Sequence, residues 1–287
     1  MKSGALIAER IISDFRTGSS LPVLVETTNG MKCVVKWKCT GEGPLANAVD
    51  WICLHLARQA GITVPTPRLI TITPALVDPG RDPDINDLIN RSLGINLGLE
   101  FIEEATPFRS KHVDAIDPAL RNLIYLFDLL FLNIDRIDAN PNMFVSRKQL
   151  YCIDFAAAMS VRMLLTAQSY SEQGLLSLIR RHPFYMRKAS IDHTGDLVDD
   201  AFVAKVVSSV HDEWLDESGA DRKSVAAGIT AILKDARAIL ERRVSLLEEI
   251  PLESAEAVRA RTLRNRQAFE QKLVDMDREI ALRTKPQ

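Results

Sequence analysis

The chain lacks any apolar run approaching the ~20 residues that a membrane-spanning helix needs. Its opening stretch, MKSGALIAERIISDFR, carries Glu9 and Asp14 among the apolar residues, unlike a secretory leader. Neither sign of charge is in excess: 36 Lys and Arg stand against 38 Asp and Glu, so no global field recommends a nucleic acid as partner. Cysteine is scarce. Cys33, Cys39, Cys53 and Cys152 sit in apolar or strand-like surroundings and form no CxxC pair, which argues against a zinc site and for reduced core thiols in a cytoplasmic protein. His55, His112, His182, His193 and His211 are scattered without ligand spacing and read as satisfied or exposed side chains. There is no internal repeat. What remains is an ordinary globular balance, 46% hydrophobic and 26% charged over 287 residues, enough for one large domain or two lobes around a cleft.

Periodicity and punctuation divide the chain. Leu6, Ile7, Ile11, Ile12 and Phe15 fall on one side of a helix over 5–15. A hairpin follows over 18–38, entered through Thr17-Gly18-Ser19-Ser20 and turned at Asn29-Gly30, the pair favoured where a type I′ turn needs positive φ at both central positions. Pro44 opens a helix over 44–60 that Gly61 ends. Arg68–Thr73 reads as a strand, 78–91 as an Asp/Pro/Gly-rich surface loop, and Gly94–Ile102 as a third apolar run. Asp117-Pro118 is a cap followed by an N1 proline, opening a helix with Leu120, Leu123, Phe127, Leu130 and Phe131 at helical spacing. Strand-like pieces at Met143–Val145 and Gln149–Ile153 flank a turn, and helices dominate from about 160, including one from Val225 to Ile250 that Pro251 stops. The arm 252–287 carries a narrow apolar stripe of Phe269, Leu273, Met276 and Ile280. Its basic cluster, Arg259, Arg261, Arg264 and Arg266, reads as a solvated face.

The chemically informative segment is Asn133-Ile-Asp135-Arg-Ile-Asp138-Ala-Asn140-Pro-Asn142, followed by the hairpin and Ile153-Asp154-Phe155. Phosphoryl transfer asks little covalent chemistry of a protein; positioning and charge neutralisation do most of it. A carboxylate is needed near the accepting hydroxyl, with hard oxygen ligands to hold Mg²⁺ on the phosphates. Asp135, then Asn140 on the same loop, then Asp154 at the end of a hairpin strand fit those requirements. An Asp-x₄-Asn pattern alone is a common turn; the order helix, DRxxxN, hairpin, apolar-Asp-Phe is far more specific, and it places the polar groups at element ends.

DRIDANPN followed by LYCIDFA resembles the catalytic loop and metal-binding Asp of the HipA-like kinases, and more distantly the loop of phosphoinositide kinases. The resemblance is strongest over 123–158. It implies Asp135 as catalytic base, Asn140 and Asp154 as Mg²⁺ ligands, and Asp128 and Asn133 as buttresses of the loop. Val34-Val35-Lys36-Trp37 is similar to the strand whose Lys holds the ATP phosphates, with Gly18, Ser19 and Ser20 as the phosphate-facing loop; Ser19 and Ser20 are also candidates for the autophosphorylated Ser of some members. Glu100-Phe101-Ile102 resembles the hinge, whose backbone at Glu100 and Ile102 would bond adenine. Two departures stand out. Ala48 occupies the place where the helix should offer Lys36 a Glu, so either Asp50 substitutes or Lys36 has no such partner. Ala156 replaces the glycine of the protein-kinase Asp-Phe-Gly motif.

The resulting expectation is an α+β, two-lobed protein-kinase-like fold: a sheet-containing N-lobe over 1–103, a helical C-lobe over 104–251 and a helical arm over 252–287. The expected activity is transfer from ATP with Mg²⁺ to a Ser or Thr of a protein substrate, with a small regulatory protein as a possible partner and neither membrane nor nucleic acid. An ATP-binding pseudokinase scaffold and a small-molecule or lipid kinase are the alternatives; Ala48 favours the scaffold.

Overall fold

A computed structural model describes residues 4–15, 21–40, 43–186, 189–191, 199–216 and 218–250. Its first half holds strands β1 (Leu6–Asp14), β2 (Val23–Thr27) and β3 (Lys32–Lys36), helix α1 (Pro44–Gln59), β4 (Pro67–Ile72), helix α2 (Pro83–Arg91) and β5 (Gly94–Glu100). The five strands close into a barrel in the order β1-β2-β3-β5-β4; every pairing is antiparallel except the closing one, β1 with β4. Val23, Val25, Cys33, Val35, Trp37, Ile70 and Ile72 fill its interior, and Leu76, Ile85, Leu88 and Ile89 continue that core. Closure removes the unpaired edges that a small open sheet would expose.

Three expectations change here. Residues 5–15 form a strand, not a helix. Ladder shifts between Ala8 and Arg10 and between Ile11 and Ser13 insert extra residues into β1. Such bulges break strict alternation and leave apolar residues three to four apart, imitating a helical stripe. Residues 83–91 form a helix rather than a loop. Asp82 accepts from the Asp84 amide, Pro83 occupies the first turn, and Ile85, Leu88 and Ile89 are buried. At Asn29-Gly30 only Gly30 takes a positive φ, 80°. The Thr27 amide donates to Met31 O (2.9 Å) and the Gly30 amide to Thr27 O (2.8 Å), closing a three-residue loop instead of a type I′ turn.

The second half holds β6 (Thr106–Pro107), α3 (Pro118–Phe131), β7 (Met143–Ser146), β8 (Gln149–Cys152), α4 (Met159–Thr166), α5 (Glu172–Ile179), α6 (Asp200–Ser209), α7 (Arg222–Lys234) and α8 (Ala236–Glu249). As the sequence indicates, Asp117 caps α3 through the Ala119 and Leu120 amides, with Pro118 next. Strands β6-β7-β8 make a small antiparallel sheet that holds the 132–142 and 153–158 loops together. The helix expected over Val225–Ile250 is broken at Asp235. The break lets α8 bury its own stripe, Ala236, Leu240, Arg243 and Leu247, so that Arg243 donates to the Leu129 and Leu130 carbonyls (2.8 and 2.6 Å) just ahead of the 132–142 loop. The arm 252–287 lies outside the described residues.

Gly98 lets β4 and β5 approach. A Cβ there would fall 2.4 Å from Ile70 Cγ1 in the packed barrel. Gly98→Ala is expected to lower stability by about 1–3 kcal/mol through overpacking, measured as a fall in the urea midpoint. Gly80→Ala, whose Cβ would meet nothing nearer than 3.4 Å, is the control and should be close to neutral.

Candidate active site

Alternation along β3 turns Cys33 and Val35 into the barrel, leaving Val34 and Lys36 on the other face. Lys36 Nζ lies 2.6 Å from Asp50 Oδ2 and 2.8 Å from Asp154 Oδ1. Asp50, on α1, is fully buried, and its second oxygen accepts the Phe155 amide at 2.8 Å. One carboxylate thus ties β3, α1 and the loop after β8 together. Of the two alternatives for Lys36, the structure selects Asp50.

Burial works against the charge on Lys36, yet Asp154 and Asp50 outweigh it and hold the ammonium well above its usual range. Burial is also the largest influence on both carboxylates. It raises Asp50 against the pull of Lys36. At Asp154, Lys36 and the Ala156 amide prevail and hold the carboxyl below its usual range. Two acids sharing one cation divide in this way, and the deeper one is harder to ionise.

The 132–142 loop brings the remaining polar groups alongside. Ile137 and Asn140 exchange backbone hydrogen bonds (3.1 and 3.0 Å), folding Asp138 and Ala139 into a tight turn. Asn140 Nδ2 then donates to Asp135 Oδ2 at 2.9 Å, and Asn142 Nδ2 donates to the same oxygen at 3.3 Å. Because both amides give their nitrogens to Asp135, their carbonyl oxygens remain acceptors. Asp135 is solvent-exposed as a residue, but protein crowds its carboxyl. That burial raises its pKa, the Asp154 charge adds to the rise, and the two amides oppose it. Asn142 has φ +48° and Asp154 φ +58°, left-handed conformations that non-glycine residues adopt only where surroundings impose them.

A sequence model of the HipA-like kinases matches residues 8–246. The chain belongs to the HipA-like kinase family. A search of curated proteins found no match. Among solved structures the chain is similar to the Helicobacter pylori proinflammatory kinase CtkA at 11% identity, TM-score 0.48, over 88% of this chain and 100% of that one. It is also similar to the Golgi casein kinase with Mn/ADP bound, at 12% identity, TM-score 0.42, over 87% of this chain and 75% of that one. The α+β class expected from the sequence is the one observed, with a five-stranded barrel in the first half and helices dominating the second.

Beneath the site of this HipA-like kinase lies a buried polar network. Asp128 accepts from Arg136 Nε (2.5 Å), Asn133 Nδ2 (2.9 Å) and His182 Nε2 (3.0 Å), while the Phe184 amide donates to His182 Nδ1 (3.0 Å). The latter bond fixes the proton on Nε2. Arg136 also donates to the carbonyls of Pro141, Asn142 and Ile153 (3.2, 2.7 and 3.2 Å), and its guanidinium lies over the Phe155 ring. It therefore staples the 132–142 loop to the residues around Asp154. Burial opposes the charge on Asp128, but Arg136, then His182 and Asn133, hold its pKa down.

Of the residues expected at the site, Lys36, Asp135, Asn140 and Asp154 converge. Glu100 ends β5 opposite Cys33, three ladder positions or about 10 Å from Lys36. Its amide donates to Thr66 O (3.0 Å) and its carboxylate pairs with Arg68. Phe101 and Ile102 lie beyond the strand, where the Phe101 amide donates to Lys32 O (2.9 Å). Gly18, Ser19 and Ser20 lie outside the described residues. Sequence reasoning missed Asn142, Arg136 and His182. The first two stand inside the quoted motif and were detectable as further polar groups; His182, 54 residues from Asp128, carries no local signal.

Burial lowers the pKa of His182 and lowers that of His55 to about 4. His55 is therefore neutral in the folded protein at pH 5, whereas an unfolded histidine takes a proton near pH 6.5. Each depressed pKa makes unfolding easier as pH falls below about 6.5, for His55 by about 2 kcal/mol at pH 5. Denaturant midpoints should fall between pH 7 and 5. His55→Phe, which keeps a ring against Trp51, should flatten that fall by its share.

Proposed function

We propose that this HipA-like kinase transfers the γ-phosphoryl group of ATP, with Mg²⁺, to a serine or threonine hydroxyl of a protein. The reading rests on one juxtaposition: Lys36 bonded to Asp154 at 2.8 Å, beside an Asp135 that Asn140 and Asn142 orient. Lys36 would bond the ATP phosphates, Asp135 would orient the acceptor hydroxyl and take its proton, and the backbone of Glu100 and Ile102 would bond adenine. The loop at Gly18, Ser19 and Ser20 would cover the phosphates.

The residues suit a hard cation. Lys36 faces the carboxylates of Asp50 and Asp154, with Asp135 close by, so negative charge is left over. Asp154 and Asn140 offer carboxylate and amide oxygens. Among the described residues no three His, Cys, Asp or Glu side chains form a metal cage. That suits Mg²⁺, which takes one or two protein oxygens and completes its shell with phosphates and water. When bound, the ion neutralises charge on the phosphates; what the protein itself supplies is alignment and a proton acceptor.

The scaffold alternative drew its support from Ala48, and the Lys36–Asp50 bond removes that support. The proposed division remains an N-lobe over 1–103, a catalytic C-lobe over 104–251 and an arm over 252–287. No helix among the described residues is long and apolar enough to cross a membrane. A cytoplasmic setting and a small regulatory protein partner belong to the same reading, which the four free cysteines suit.

Separating the carboxylates tests it. Asp135→Asn should bind Mg-ATP about as well as wild type while transfer of labelled phosphate falls about 10²–10⁴-fold. Asp154→Asn should lose most of its metal-dependent ATP affinity in the same titration. Normal binding and normal transfer in both variants would reduce the DRIDAN loop to an ordinary turn. ATP binding by wild type without transfer to itself or any offered protein would favour a scaffold.

A further inference from the structure

The pair Lys36–Asp50 joins β3 to α1, and a second set of contacts joins α1 to β5 and to the turn that follows β3. It comes from a single turn of 3-10 helix, Asp212–Trp214, more than 160 residues further along the chain. Glu213 Oε2 pairs with Lys38 Nζ at 2.5 Å and accepts the Ile95 amide at 3.2 Å. Lys38 stands two residues after Lys36, in the turn that follows the end of β3. Burial alone would raise the pKa of Glu213, but Lys38 and the Ile95 amide hold it down, so Glu213 stays ionised near neutral pH.

The next residue takes the helix. Trp214 is 2% exposed, donates Nε1 to the Ile95 carbonyl at 2.9 Å, and sets its ring edge-to-face against Trp51 with centroids 5.9 Å apart. Trp51 directly follows Asp50 and donates Nε1 to Ser209 Oγ at 3.0 Å. The turn is itself braced: Arg222 donates to the Val207 carbonyl at 2.8 Å and pairs with Asp212. Within α1, Asn47 through Leu54 are all buried. The helix therefore has no free face to set its rotation, and its neighbours must set it.

We infer that the Glu213–Trp214 turn is a positioning clamp for the Lys36–Asp50 pair, fixing the turn after the strand that carries one and the helix that carries the other. The inference rests on the kinase reading. Neither Glu213 nor Trp214 touches the site itself. Both act through geometry, by keeping α1 close enough for the short Asp50 side chain to reach Lys36 and the Phe155 amide together.

The test uses the full chain, with Trp214→Ala, Trp214→Phe and Glu213→Gln made alone and in an Asp50→Ala background. Label transfer gives kcat and KM for ATP, and amide hydrogen exchange reads α1 directly. Trp214→Ala should lower kcat/KM for ATP about tenfold in the natural background and less than about twofold where Asp50 is already gone, because both changes remove the same interaction. Exchange should quicken in α1 while β7 and β8 keep their protection. Trp214→Phe, which retains the ring contact, should lose less. If Trp214→Ala does not fold, Glu213→Gln decides by the same comparison of backgrounds. Equal losses in both backgrounds, or unchanged α1 exchange, would overturn the clamp. An Asp50→Ala variant as active as wild type would overturn it while leaving the kinase reading intact. Failure of wild type to bind Mg-ATP would sink both.

Discussion

The Lys36 ammonium holds the site together, because three separate parts of the chain meet on it and on its partner Asp50. β3 brings the ammonium, α1 brings Asp50, and the loop after β8 brings Asp154, with the Phe155 amide closing the third side on Asp50. Bare charges at such depth would be costly, and desolvation of an ion pair can exceed its attraction. Hydrogen bonds from groups that must be present anyway offset this. Asp50 spends one oxygen on Lys36 and the other on a backbone amide, so no carboxylate oxygen is left stranded. Removing Lys36 would leave both carboxylates without their cation. The interaction thus fixes a shape more than it adds stability.

A second ion cluster does for the 132–142 loop what Lys36 does for the barrel. Arg136 is 1% exposed, and its donors reach Asp128 and three carbonyls lying on both sides of the hairpin. A lysine would not match it, since the fork reaches Asp128 from Nε and the carbonyls from Nη1, two separate nitrogens held in one plane. Strain gathers around this staple: Leu132, Asn142 and Asp154 all hold positive φ. Arg243 adds a brace from α8 through the carbonyls of Leu129 and Leu130. Asp135 stands on a loop whose backbone is held at both ends and beneath, so its orientation costs little to maintain during a reaction.

Local signals in the sequence were readable where one residue type does one local job. Asp117-Pro118 caps α3 because an Asp oxygen accepts first-turn amides and proline needs no partner there; Asp82-Pro83 is the same device at α2, hidden by the surrounding Asp and Gly. Helix α1 and the β7–β8 hairpin followed from periodicity and turn residues. β1 was misread because its bulges erase the two-residue period. Within the site, Lys36, Asp135, Asn140 and Asp154 were visible because short segments carry them in a fixed order. Asp128 was visible beside them as a buttress of the loop, but distant partners were not: His182 meets Asp128 across 54 residues and Glu213 meets Lys38 across 175, distances over which no local pattern operates.

The uncertainty over Ala48 and Asp50 has a more specific cause. Two residues along a helix is a rotation of about 200°, so a carboxylate at 50 faces nearly opposite to one at 48. An amphipathic helix would have declared which side faces the site, but α1 is buried from Asn47 to Leu54 and presents no polar stripe to orient it. Rotation is then settled by shape: Trp51 against Trp214 on one side, and the Phe155 amide and Lys36 on the other. An Asp is also one methylene shorter than a Glu, so the helix must lie nearer the strand for the bond to form. The same packing that made the carboxylate illegible in sequence is what allows the shorter side chain to reach.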